Sequence, residues 1–306
     1  MTAKPAAAPD EVVEIRNTLL SALLWPKLGG TVAAFRLETL DGPVDLMRAA
    51  TPGAIATSDA RETACFPLFP FSNRVSGGAF EFRGRRVALS PNMLPHPNPL
   101  HGQGWRSAWQ IGNRGESFAE LFLEYDAGEW PWAYTALQRF DLVDGRLDVS
   151  LSLLNRSESV MPCGIGLHPY FPRTNDVRFT ATLPRVWLGR GEPNGEYEAA
   201  VSEPWNFERG RLLAELELDH CFSGWDGAAR LDWPSRRVSV EISASPNLDK
   251  LVIFTPAGQD YVCVEPATNA SDAFLLDAQG VTGTGTVLLE PGERCMGRVS
   301  FAAARV

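Results

Sequence analysis

Along the middle of the chain apolar and polar residues alternate with a period of two. In Arg146-Leu-Asp-Val-Ser-Leu-Ser-Leu153, the residues Leu147, Val149, Leu151 and Leu153 share one face. Successive side chains of an extended strand point to opposite sides, so this is the pattern of a half-buried strand. It follows Phe140-Asp-Leu-Val143 across Asp144-Gly145. A two-residue connection whose glycine suits the positive φ of a type I′ turn predicts a hairpin over 138–153. Similar short runs recur at Glu120-Leu-Phe-Leu-Glu124, Arg236-Arg-Val-Ser-Val-Glu-Ile242, Leu251-Val-Ile-Phe254 and Tyr261-Val-Cys-Val264. The apolar run Leu19-Leu-Ser-Ala-Leu-Leu-Trp25 soon meets Pro26, Gly29 and Gly30, so it predicts a buried strand rather than a membrane span.

No long amphipathic helix competes with these runs, and 27 glycines and 23 prolines punctuate them. The expected fold is all-β, a large antiparallel β-sandwich whose loops gather around a cleft. With 306 residues, 44% of them apolar, the chain can bury a sizeable core without disulfides or metal. Neither an internal repeat nor a linker divides it. Residues 1–17 are therefore read as a flexible N-terminal tail and 18–306 as a single β-sandwich domain.

Charge narrows the partners. Lys and Arg total 28 against 37 Asp and Glu, a net charge of -9 that opposes nucleic acid and anionic membranes and leaves a small neutral molecule as the expected partner. The five cysteines, Cys65, Cys163, Cys221, Cys263 and Cys295, form no CxxC pair, so neither a disulfide framework nor a zinc site is indicated. Met1–Asp10 has no apolar signal core and no run reaches spanning length, which makes the cytoplasm the expected compartment.

The candidates for proton transfer near neutral pH are few, because only four histidines occur, at 96, 101, 168 and 220. His168 follows a run of small and apolar residues and precedes Pro169, which biases it toward an extended backbone and predicts that it projects from a strand end. Glu265 has the same grammar, delivered by Tyr261-Val-Cys-Val onto Pro266. In a partly desolvated site such a carboxylate is a stronger base than one in water. Taken singly, each residue fits a structural role as well.

Their company decides between these readings. Asn73-Arg-Val-Ser-Gly-Gly78, Leu100-His-Gly102, His168-Pro-Tyr-Phe171, Leu218-Asp-His-Cys-Phe222 and Val262-Cys-Val-Glu-Pro266 stand in this order along the chain. In these landmarks the sequence resembles the aldose 1-epimerase (galactose mutarotase) family, and the likeness extends over about residues 18–304. The resemblance implies a β-sandwich with a sugar cleft and an enzyme that interconverts the α and β anomers of a free aldose. It implies Glu265 as general base at O1, His168 as general acid at O5 and His101 as a third catalytic-site residue that positions the ring. Arg74, Asp219 and Asn73 are then substrate-binding, and neither a metal nor an organic cofactor is called for. After Glu265, Pro-Ala-Thr-Asn-Ala-Ser-Asp272 replaces a longer segment of the best-known galactose mutarotases, so the resemblance does not fix the preferred sugar.

Two other readings stay open at this point. A hexose-6-phosphate 1-epimerase would need a basic phosphate pocket, for which Arg83-Gly-Arg-Arg86 offers charge, although that cluster also fits a solvated hairpin. A non-catalytic sugar-binding protein of the same fold would not need the acid–base pair. Of the nine tryptophans, Trp105 and Trp225 lie near landmarks and are candidates for stacking on a pyranose. His96 and His101 are set among prolines and give no helical metal-binding face. Gly280-Val-Thr-Gly-Thr-Gly285 lacks the order of a dinucleotide fingerprint.

Overall fold

The computed structural model describes residues 12–189, 195–203 and 205–305. Its strands form two large sheets and two two-stranded ones, and every strand pairing among the described residues is antiparallel. The first sheet has eleven strands. From one edge they run Val13–Arg16, Leu20–Trp25, Thr31–Leu37, Cys65–Leu68, Gly166–Pro172, Tyr261–Ala267, Lys250–Phe254, Asp219–Ser223, Arg185–Leu188 and Tyr197–Ala200, with Val44–Asp45 paired to Thr31–Leu37. The second has nine, with the hairpin strands Tyr134–Val143 and Arg146–Asn155 near its middle and Arg294–Arg305 beside them. The only α-helices among the described residues are Pro52–Thr57 and Ala273–Ala278. None of the helices is long and apolar enough to cross a membrane.

Period-two patterning fixes which residues face which way. Leu147, Val149, Leu151 and Leu153 are buried in one core with Leu167, Phe171, Val262, Val264, Leu251, Ile253 and Phe222 of the first sheet. Each such side chain contributes roughly 1.5–3 kcal/mol when removed from water. The all-β sandwich expected from the sequence is therefore the observed fold, with its core between the two sheets.

Three local expectations need correction. The hairpin forms with Val143 opposite Arg146, but Asp144 takes the positive φ, at +52°, and Gly145 lies outside the left-handed region. Asp tolerates that conformation better than most side chains. The ordered fold also begins before residue 18: Val13–Arg16 pairs with Ser21–Leu24, and its Val13 and Ile15 are buried in the core. Residues 1–11 of the expected tail lie outside the described residues. Finally, His168 and Glu265 stand inside their strands rather than at strand ends. Proline is compatible with extended backbone, and each strand keeps its outer neighbour: Pro169 still pairs opposite Cys65, and Pro266 opposite Leu251.

Candidate active site

The prolines interrupt one ladder locally. Gly166–Pro172 and Tyr261–Ala267 pair at Gly166 with Ala267 and again from Tyr170 with Cys263, but not at the three positions between. Three residues lie between the flanking pairs on each strand, so the register runs through and sets His168 opposite Glu265. Pro169 and Pro266, beside them, have no N–H to give to the ladder. The two side chains emerge on the same face, where His168 Nε2 approaches Glu265 Oε1 to 3.2 Å.

Alternation assigns the two faces of these strands different tasks. Leu167, Phe171, Val262 and Val264 enter the inter-sheet core, while His168, Tyr170 and Glu265 line a cavity of about 520 Å³ on the other face. Phe66, opposite His168 on the neighbouring strand, stacks on the imidazole with ring centroids 4.4 Å apart, and Tyr170 packs on it at 4.7 Å. Two strands beyond Tyr261–Ala267, Asp219 reaches the same cavity.

The remaining residues descend from loops. His101 Nδ1 accepts the backbone N–H of Asn73 at 2.9 Å, while the His101 N–H donates to the Asn73 carbonyl at 2.9 Å. Asn73 and His101 both adopt φ of +59°, a conformation costly for non-glycine residues and held here by this reciprocal clamp. The next residue is Gly102, where a Cβ would meet the Phe69 carbonyl oxygen at 2.2 Å. Because Nδ1 is the acceptor, the proton of neutral His101 sits on Nε2 and makes that atom a donor. Asn73 Oδ1 accepts the Arg74 backbone N–H at 2.8 Å, and Arg74 Nη2 lies 3.3 Å from Asp219 Oδ2. All six site residues expected from the sequence, Glu265, His168, His101, Arg74, Asp219 and Asn73, thus line one cavity.

Burial sets the electrostatics. Glu265 is only 2% exposed, and desolvation followed by the repulsion of Asp219 pushes its pKa well above the usual carboxylate range. Desolvation, with the fields of His101 and Arg48, holds His168 well below the usual imidazole value. His101 is pushed down to about 3, again chiefly by burial and then by Arg74 and His96. Glu265 Oε2 and His168 Nδ1 are buried without a hydrogen-bond partner within the described residues. Such orphaned groups are uncommon in a folded interior and mark a place where chemistry or a ligand is expected. One donor atom each from His101, His168 and Glu265 lies within 4.8 Å of the others, a spacing that suits a cation as well as proton sharing.

Other candidates separate. Trp105 lines the cavity and donates its Nε1–H to the Leu100 carbonyl, whereas Trp225 belongs to the core between the sheets. His220 packs its ring against Trp205, with centroids 4.6 Å apart. Arg83, Arg85 and Arg86 sit on the hairpin formed by Ala79–Phe82 and Arg85–Ala88, and none lines the cavity. Sequence reasoning missed Phe66, Tyr170, Tyr261 and Arg48 and set His96 aside, yet all five line the cavity. Alternation from His168 and Glu265 places Tyr170 and Tyr261 on the site face and could have found them. Arg48 comes from an irregular segment and had no such signal.

Comparison with known proteins gives the same assignment. Residues 11–302 match the aldose 1-epimerase family. The uncharacterized protein YphB of Escherichia coli K12 is 31% identical over 281 residues, covering 89% of this chain and 92% of YphB. A crystal structure of an Escherichia coli K12 protein, itself only provisionally assigned as an aldose 1-epimerase, superposes with a TM-score of 0.86 at 27% identity, covering 97% of this chain and 99% of the other. A galactose mutarotase-like protein from Clostridium acetobutylicum shares the fold, with a TM-score of 0.85 at 18% identity over 99% and 98% of the two chains. By sequence pattern over nearly its whole length, the chain belongs to the aldose 1-epimerase family.

Proposed function

We propose that this protein is an isomerase, an aldose 1-epimerase that interconverts the α and β anomers of a free aldose by acid–base ring opening and closure. The observation that carries the reading is the buried, directly opposed His168–Glu265 pair, two proton carriers 3.2 Å apart in a cavity that also holds hydrogen-bonding groups. Ring opening removes a proton from O1 and delivers one to O5. Glu265 carboxylate takes the O1 proton as the C1–O1 double bond forms, the C1–O5 bond breaks, and O5 receives a proton from His168 imidazolium. Rotation about C1–C2 presents the other face of the aldehyde. On closure His168 recovers the O5 proton and Glu265 returns its own to O1, so no net charge or atom is gained.

The burial of the pair suits this cycle. Opening converts an ionised Glu and a protonated His into two neutral groups, and the dry surroundings favour the neutral pair. The mutual attraction of the charged forms at 3.2 Å offsets part of that preference, so both states are accessible and the pair titrates as a unit. His101 presents an Nε2–H donor beside His168 and is suited to holding O5. Arg74 with Asp219 offers a donor and an acceptor in fixed relation, which suits ring hydroxyls.

Polarimetry tests the proposal. Freshly dissolved α-D-glucose, α-D-galactose and an L-arabinose anomer should relax faster with the protein than in buffer, toward the same final rotation. No acceleration with any of them would remove the free-aldose reading, and a hexose 6-phosphate would then separate a phosphorylated-sugar epimerase from a binding protein of the same fold.

A further inference from the structure

The two histidines of the site are held in different ways. His101 Nδ1 is fixed by the Asn73 backbone N–H at 2.9 Å. His168 Nδ1 is buried and finds no hydrogen-bond partner on another described residue. A catalytic imidazole is ordinarily oriented by a hydrogen bond on the nitrogen that does not do the chemistry, so the His168 ring takes its orientation from packing instead. Phe66 supplies the closest ring. It stands directly across the strand pair from His168 and stacks on the imidazole, with centroids 4.4 Å apart and planes 28° apart. The same ring meets His101 edge-on at 5.8 Å and leans on Trp105 at 5.4 Å, so it is itself held in place.

The proposed cycle needs His168 as imidazolium, and most of what faces it opposes that charge. Burial, His101 and Arg48 all disfavour the cation. The Tyr170 phenol and the Cys263 thiol are kept neutral by burial and add no charge. Arg74 and His96 act on His101, and Asp219 acts on Glu265. What favours the cation is Glu265 at 3.2 Å and the ring faces packed on the imidazole. An aromatic face is the negative side of its quadrupole and attracts a cation within about 6 Å of its centroid. Phe66 makes the shorter contact, while Tyr170, 4.7 Å from His168, shares its ring with the Arg48 guanidinium at 4.2 Å.

We propose that Phe66 is the positioning residue of the acid: its ring holds the His168 imidazole so that Nε2 meets Glu265, and its π face favours the imidazolium from which O5 is protonated. Stacking thus does for His168 what the Asn73 N–H does for His101. Because Phe66 acts through His168, while the grip on sugar hydroxyls is assigned to Arg74 and Asp219, removing its ring should touch kcat and spare KM.

NMR titration of the His168 ring in the folded protein, with mutarotation of D-galactose measured alongside, tests the inference on the wild type and three variants. Phe66→Leu and Phe66→Met remove the ring and keep an apolar side chain, so that one serves if the other does not fold, and Phe66→Tyr keeps the ring. Without the ring face the cation is less favoured, so the His168 midpoint should move to lower pH by about half a unit or more in the ring-free variants. Their kcat should fall by about 3- to 30-fold, with KM within about twofold of wild type. Phe66→Tyr should recover most of both. A midpoint that stays or rises in the ring-free variants, a KM that rises while kcat holds, or a Phe66→Tyr as impaired as Phe66→Leu would overturn the role of Phe66. Its effect on rate rests on the mutarotase reading, and the two fail differently. A wild type that does not speed mutarotation removes the catalytic reading whatever the midpoint does, whereas a fast wild type whose midpoint is unmoved in Phe66→Leu removes only the Phe66 inference.

Discussion

Asp148 and Glu265 are both carboxylates with side chains only 2% exposed, in the middle of strands of opposite sheets, yet their surroundings differ in kind. Asp148 accepts bonds from Arg146, Arg298 and the Ser300 hydroxyl. Burial alone would raise its pKa, but these hydrogen bonds and the Arg298 charge outweigh burial and bring it below the usual range. Glu265 has a single imidazole beside it, one oxygen without a partner, and a pKa pushed upward. A fully partnered buried charge holds structure together, and a poorly partnered one is available to exchange a proton. Their exposure is alike, but Asp148 lies on the outward face of its sheet beneath the half-exposed Arg146 and Arg298, whereas Glu265 is deeply buried, so the company of the carboxylate and its depth act together.

The largest effect that could break this contrast is on turnover. Glu265→Gln and His168→Asn should each lower kcat by roughly 10²–10⁴-fold with the fold intact, and near-normal rates in both would undo the assignment. Asp148→Asn should do the reverse, lowering stability by about 1.5–3 kcal/mol through its weakened charged hydrogen bonds while folded enzyme turns over normally. A denaturation midpoint unmoved from wild type would contradict that. Arg74→Ala should raise KM by about 10-fold or more if its pair with Asp219 grips hydroxyls, and an unchanged KM would count against a binding role.

A smaller effect separates burial from pairing at His101. The folded protein keeps this residue neutral to about 3, whereas in the unfolded chain it takes a proton below about 6.5. Its contribution to stability is therefore whole above that value and is lost as pH falls, by about 2 kcal/mol at pH 5. His101→Gln should flatten the stability curve between pH 6.5 and 5 by this amount, and an unaltered slope would show that burial does not hold the ring neutral. Chelation should have the smallest effect. If the cluster of His101, His168 and Glu265 works by proton transfer alone, exhaustive EDTA treatment leaves kcat unchanged, and a loss restored by zinc would assign a cation to it.

Much of this was legible in the sequence because it depends on period-two alternation. The hairpin of Phe140 and Leu147, and the inward faces of Val262 and Val264, follow from which residues are apolar. The six expected site residues were found through five short landmarks in family order, and the cavity gathers them. What alternation could not supply was the behaviour of proline inside paired strands. Pro169 and Pro266 read as strand ends, yet each strand is held by its other neighbour, so they interrupt one ladder beside the reactive pair instead of stopping it. Arg48 was illegible for a different reason. Its place depends on the carbonyls of Arg61 and Thr63 and on two tyrosine rings distant in sequence, which no local pattern encodes.

The most direct test of the contrast between the two carboxylates is anomeric exchange of D-galactose by NMR, measured with equal concentrations of folded wild type, Glu265→Gln and Asp148→Asn. The account predicts fast exchange with the wild type and Asp148→Asn, and a rate near that of buffer with Glu265→Gln. Exchange retained by Glu265→Gln, or lost equally in both variants, would contradict it.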